Sequence, residues 1–504
     1  MAGDTSDSAA AAGTVAYHEP AFPQLATVIA LLYLAQVARN IANRVLYAGL
    51  LGEIAIGVIF GPVAKNLEVD WMNTFLVIGY IGLVLIVFEG GLTMQPSSFV
   101  PQLPLACIVA LVGVLMPIAL TFGLFHGYGY PTIDAFAAGS ALASTSLGTT
   151  FFVLRAAGPE LGVSAVGEIL KGAALIDDII ALVLLSVLVP LSSGGGDTSN
   201  LGWTIGRPIV ASAAMAIATP LLTVYLFRPL FRTRRFHSIM ARGGHDAELL
   251  VGVAALCAFL AVASYAGTTM LLGAFLAGYF LSALPKPDSG VSFVACWEAY
   301  LLPIQEYVLV PIFFISIGFS IPFLDLWTGL RIWRGLVYAV LMTVGKLLAG
   351  LPIILAALFR NRKGASRATA SREAEDVETD PGTTRVQRLP NNTSAEKIAP
   401  TQKGGDAEPA IRRDRFFLHD TLPAAAFVGL ALVARGEIGV LVLQVARSAS
   451  AESTSPTLGE PAYISGIWAV AICTILGPVA FGVLVQHYGE RIKIGTWGIA
   501  RDGK

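Results

Sequence analysis

Two adjacent acids, Asp177 and Asp178, lie inside "KGAALIDDIIALVLLSVLVPL", a run long and apolar enough to cross a bilayer. An ionised carboxylate in the hydrocarbon core costs a few kcal/mol, about 2.5–3.5 on insertion scales, so such groups face a bundle interior or a wet cavity. Neighbours on a helix project about 100° apart, which lets both acids reach one cavity while neither meets lipid. Two carboxylates close together in a low dielectric do not both ionise freely. One of them can therefore hold either a proton or a hard cation, the chemistry that exchange at a single site requires. The plainer alternative is an acid pair that only ties helices together.

Lysines sharpen the reading. Lys346, in "VLMTVGKLLAGLP", sits mid-span, where a cation requires an acidic partner, and Asp177 or Asp178 is the best candidate. Lys171 is seven residues before Asp178, about 10 Å along the axis, and is expected to snorkel to the interface instead.

Two other segments read as interrupted helices. "GSALASTSLGTT" places Ser144, Thr145 and Ser146 among small residues, and "ALVARGEIG" sets Arg435 and Glu437 beside two glycines. Freed carbonyls and the Ser144, Thr145 and Ser146 hydroxyls could ligate a dehydrated cation; close helix packing is the alternative. For Arg435 and Glu437, a mutual ion pair or a brace for unwound ends stands beside cation contact. Glu53, Glu89, Glu168 and Glu306 read as interface or helix-terminus residues.

The elements that must position these groups are membrane helices. The 504-residue chain is 55% hydrophobic and 13% charged, against about a quarter charged for a soluble protein. That excludes a soluble enzyme, and no basic aromatic-rich segment suggests nucleic acid. A span needs about 20 apolar residues. On that scale an all-α polytopic fold of about thirteen spans is expected, near 24–43, 46–64, 72–92, 104–126, 132–156, 163–190, 204–228, 247–266, 268–284, 300–323, 331–359, 420–446 and 462–487. The interrupted segments are spans 5 and 12.

"LLGEIAIGVIF" in the second span resembles "LLGAFLAGYFL" in the ninth, seven spans on and so antiparallel. Two inverted repeats with the seventh span as linker follow, an architecture of secondary transporters whose sites lie at paired broken helices.

Residues 1–23 read as an extracytoplasmic N-terminal segment without a basic signal region. Residues 360–416, rich in charge and small polar residues, read as a disordered cytoplasmic linker, and 488–504 as a cytoplasmic tail. Lys and Arg clusters after the seventh span, in 360–416, in the tail and at Arg39 and Arg44 agree on that orientation. The sequon at Asn391 should then be silent. The four cysteines, Cys107, Cys257, Cys296 and Cys473, read as small core residues, and neither they nor the six histidines form a metal spacing.

Together, "LLGEIAIGVIFGP", "FEGGL", "ALASTS", "AALIDDIIALVLL", "LLGAFLAGYFLS", "PIFFISIGF" with Lys346 following, and "ARGEIG" resemble the sodium/hydrogen exchanger superfamily, on the branch of Kef-type potassium/proton and bacterial sodium/proton antiporters. The order and spacing of the motifs carry the match over nearly the whole chain. The resemblance implies a non-enzymatic antiporter of a monovalent cation, Na+ or K+, against protons, with no cofactor beyond the transported ions. It implies a homodimer in the bilayer, with a core domain of spans 4–6 and 11–13 moving as an elevator against a scaffold of spans 1–3 and 8–10. By motif position Asp178 would be the cation- and proton-binding acid, Asp177 the partner of Lys346, and Thr145 a residue of the unwound crossing. The Asp-Asp doublet with lysine favours electrogenic exchange. The sequence ends about 17 residues past its last span, so the nucleotide-binding domain of many Kef-type relatives is not expected, and the 360–416 insertion is long for the family. A proton-uncoupled channel and a non-transporting sensor are the rival readings; no "TVGYG"-like filter is present.

Overall fold

The computed structural model describes residues 19–46, 49–93, 102–146, 150, 154, 158–162, 164–192, 201–284, 293–359, 410–452, 458–495 and 497–498. The first 18 residues, the last six and residues 360–409 of the linker expected over 360–416 lie outside them, while 410–416 are helical, which corrects that end of the linker. Among the described residues every regular element is helical: α1 Phe22–Leu46, α2 Gly49–Val63, α3 Val69–Leu92, α4 Leu103–Tyr128, α5 Thr132–Ala143, α6 Ala165–Ser192, α7 Leu201–Leu222, α8 Arg234–Ala266, α9 Met270–Ser282, α10 Phe293–Tyr300, α11 Leu302–Phe319, α12 Gly329–Phe359, α13 Ala410–Ala431, α14 Glu437–Glu452 and α15 Glu460–Ile494. Eight helices in the described residues are long and apolar enough to cross a membrane. Five shorter apolar helices accompany them, including α2, α5 and α9. The molecule is a multi-pass membrane protein.

The helices pack in two groups. α1, α2, α3, α8, α9 and α11 pack mainly on one another, and α4, α5, α6, α12, α13, α14 and α15 form the second group. The first group is built on glycine. A Cβ on Gly57 would lie 2.2 Å from the Ile315 carbonyl oxygen, and one on Gly318 2.4 Å from that of Ile54, so α2 and α11 touch backbone to backbone. Gly91 and Gly278 make the same reciprocal approach between α3 and α9, at 2.0 and 2.1 Å from the Phe275 and Phe88 carbonyl oxygens. Small residues are what allow helices to approach this closely in lipid, where no hydrophobic drive joins them.

Proline shapes the approach to α11. Pro311 has no N–H to offer the carbonyl four residues back, and the backbone runs through a wide turn at Gln305–Leu309. The released carbonyls are taken from α1: Gln36 Nε2 donates to Tyr307 O at 2.8 Å and Arg39 Nη1 to Glu306 O at 2.6 Å. Arg39 also lies 3.6 Å from Glu53 and 3.2 Å from Glu306, while Gln305 Nε2 donates to Glu89 Oε2 at 2.6 Å. This corrects the expectation for Glu53, which is an interior residue only 1% exposed rather than an interface one. Arg39 is likewise spent on that network and is not a free loop charge. The cysteine expectation is also corrected in part, since Cys107 and Cys257 are exposed and only Cys296 and Cys473 are buried.

Candidate functional site

The second helix group is organised around two chain breaks. α5 is buried from Ala137 to Ala143, and helical geometry stops at Ser144, whose φ −62°, ψ 146° is extended. α13 stops at Ala431 and α14 starts at Glu437, leaving Leu432–Gly436 mostly non-helical. The two non-helical stretches cross. Ser146 N donates to Ala434 O at 3.1 Å, and a Cβ on Gly436 would sit 2.5 Å from Ser146 Cβ. Glycine is required there because the crossing leaves no room for a side chain. Thr474 on α15 braces the second break by donating to Arg435 O at 2.8 Å.

A broken helix exposes carbonyls at the negative end of its dipole. Arg435, fully buried, answers this at α5, with Nη1 2.9 Å from Ser144 O. The brace reading of Arg435 is thus the geometry found. The Glu437 side chain lies outside the described residues. Ser144 Oγ turns back to Ala141 O at 2.8 Å, so this hydroxyl serves its own helix end.

Beside the crossing, α6 presents both acids. Lys346, reaching from α12, sets Nζ 2.9 Å from Asp177 Oδ2 and 2.9 Å from Thr145 Oγ1. Thr145 donates its hydroxyl to the same Asp177 oxygen. Lysine, threonine and aspartate therefore close a three-membered ring, with Lys346 0% and Asp177 1% exposed. Asp178, one residue on, is buried as well at 4%. The pair is desolvated, so it persists only because each charge meets its complement at contact distance.

The structure thus brings Asp177, Lys346 and Thr145 together, and sets Arg435 with Ser144 at the neighbouring helix end. Lys171 pairs with Glu168 at 2.5 Å at the start of α6, partly exposed. Sequence reasoning missed Tyr338, fully buried, whose hydroxyl lies 3.0 Å from Thr121 Oγ1; that threonine is itself bonded to Pro117 O. It also missed the chain end: Ala165 N and Val166 N, orphan donors of the first turn of α6, reach Gly498 O at 3.4 Å and Trp497 O at 3.1 Å.

Crossed, interrupted helices are the architecture that many secondary transporters share, and here a buried acid–lysine pair lies beside them. Residues 27–371 match the family model described as sodium/hydrogen exchanger, transmembrane, and the chain belongs to that family. It is 31% identical over 246 residues to a high-affinity Na+/H+ antiporter, NhaS3, of Synechocystis sp., covering 48% of this chain and 49% of that one. The chain thus spans about half the length of that curated relative. It is 26% identical over 329 residues to the Na+/H+-K+ antiporter GerN of Bacillus cereus, covering 64% and 77%. The fold is similar to that of the sodium proton antiporter MjNhaP1 of Methanocaldococcus jannaschii, with a TM-score of 0.57, 15% identity and coverage of 92% of this chain and 99% of that one.

Proposed function

We propose that the chain is a secondary-active antiporter exchanging a monovalent cation, Na+ or K+, for protons. The observation that carries the proposal is the ring of Lys346, Asp177 and Thr145 beside Asp178 at the crossing of two broken helices. In this reading Asp178 binds the cation and the proton alternately, and carbonyls of the crossing complete the ligand set. Lys346 pairs with Asp177 and Arg435 meets the carbonyl end of α5. Likeness to a Na+/H+ antiporter of Synechocystis sp. and a Na+/H+-K+ antiporter of Bacillus cereus supports the substrate class.

The same reading makes the first helix group the scaffold and the second the moving core, related across about thirteen spans by inverted repeats. The reciprocal glycine contacts of α2 with α11 and of α3 with α9 support it, since an inverted repeat pairing α2 with α9 and α3 with α11 maps one contact onto the other. The scaffold joins two chains in a homodimer, with the N-terminus outside and the tail in the cytoplasm. The doublet of acids favours more than one proton per cation. Each net charge carried across 100 mV is then worth about 2.3 kcal/mol.

The test is cation-dependent proton movement in proteoliposomes carrying a luminal pH dye, at clamped potential, for the native chain and Asp178→Asn. Proton movement driven by Na+ or K+ and lost in the variant is expected. Ion flow without proton movement in the native chain would instead favour a channel, and no movement of either kind a sensor.

A further inference from the structure

The base of α8 carries a second cluster, remote in chemistry from the acid–lysine ring. His245 and Glu248 are three residues apart, so they share a helix face, and α10 packs near it to bring in Cys296. The imidazole, carboxylate and thiol donor atoms all lie within 4.8 Å of one another. Glu248 is 3% and Cys296 2% exposed, while His245 faces outward. Glu248 Oε2 is buried and makes no hydrogen bond among the described residues. Cys296 Sγ makes one long contact, 3.5 Å, to the His245 carbonyl.

A buried carboxylate oxygen with no donor is costly, and the groups placed beside it are a thiol and an imidazole, the latter also against the Tyr300 ring at 5.7 Å. A metal ion supplies the missing partner. We infer that His245, Glu248 and Cys296 form a three-ligand site for a thiophilic divalent metal, with Zn2+ the ion that suits thiolate, imidazole and carboxylate together.

The charge count closes. A thiolate and a carboxylate balance a divalent ion, which leaves a neutral site fit for a half-buried position. The thiol proton departs to solvent as the Cys296–metal bond forms, and the outward face at His245 leaves a fourth position for water. Tetrahedral zinc with ligand distances of 2.0–2.3 Å needs donors about 3.6 Å apart. The remaining closure falls to His245, which is exposed and follows Gly244, a kink at φ 52°, ψ −139°. The bound ion would staple α8 to α10, the helix that leads into the wide turn of α11 where Arg39 docks. It does not depend on the transport reading.

The experiment is titration of the purified, chelator-stripped full chain with Co2+, which reports thiolate ligation as a sulfur-to-cobalt charge-transfer band, followed by displacement with Zn2+. One equivalent with that band is expected, absent in Cys296→Ser and at least tenfold weaker in His245→Ala. Zn2+ is expected to raise the melting temperature of the native chain and leave that of Cys296→Ser unchanged. No band in the native chain, or a band that survives in Cys296→Ser, overturns the site. Should Cys296→Ser fail to fold, unchanged Co2+ affinity in His245→Ala, altered only at an exposed position, overturns it equally.

Discussion

Removing Lys346 isolates the energetics of the buried ring. Its ammonium meets Asp177 and Thr145 at 2.9 Å each, with no exposure of its own. In Lys346→Met the apolar stem is roughly preserved and the charge is gone, so Asp177 is left buried without its cation. Breaking a buried pair from one side costs about 3–5 kcal/mol, whereas replacing both partners with neutral groups is often neutral or stabilising. Asp177→Asn alone strands the lysine and should cost a similar amount. The double variant should lose far less than the sum, with a coupling of about 3 kcal/mol or more. At about 2.1 cal/mol/K per residue over roughly 400 residues, each single variant should melt about 4–6 °C lower. Thermal unfolding in detergent, monitored by intrinsic fluorescence, measures all four proteins. If the losses in the single variants simply add in the double variant, the two charges are not paired and the geometry of the ring is wrong.

Three further outcomes follow from other contacts. Gly318→Ala puts a methyl 2.4 Å from the Ile54 carbonyl oxygen and should destabilise by about 1–3 kcal/mol through forced separation of α2 and α11; a melting curve identical to native would contradict that contact. Arg39→Ala should cost about 2–4 kcal/mol, less than a fully buried pair because Arg39 is 21% exposed, and adding Glu53→Gln should recover most of it in the same assay. Ending the chain at Ile494 removes the acceptors at Trp497 and Gly498. With each bond worth about 0.5–1.5 kcal/mol, hydrogen exchange at Ala165 and Val166 should quicken up to about tenfold, and unchanged protection would mean that the tail does not cap α6.

The all-helical, multi-pass character was legible in the sequence because a bilayer demands long apolar runs. The break at Ser144–Ser146 was legible from polar, small residues where lipid-facing helix calls for Leu and Val, and the break at Leu432–Gly436 from Gly436. That Lys346 would pair with Asp177 or Asp178 was legible because a mid-span lysine must find an acid. What escaped were partnerships between residues whose local context is ordinary. Glu53 reads as a terminus residue until α1 supplies Arg39 and α11 supplies Glu306. Thr121 and Tyr338 are 217 positions apart, and Cys296 is 51 from His245, so no spacing rule joins them. The tail escaped because its role is backbone capping, which any sequence can perform.

The ring also sets a schedule for biosynthesis. Lys346 follows Asp177 by 169 residues in the chain. At about 5–20 residues per second of synthesis, the acid waits roughly 10–30 s before its lysine is made. During that interval Asp177 and Asp178 of α6 wait with neither Lys346 nor Arg435 yet present. The early helices therefore enter the membrane with these acids unpartnered, and the insertion machinery, or α4 and α5 folded around it, must shelter α6 until the last third of the protein arrives. A nascent chain stalled before Lys346 is in this sense a different membrane protein, one whose acid-bearing helix has nowhere to settle.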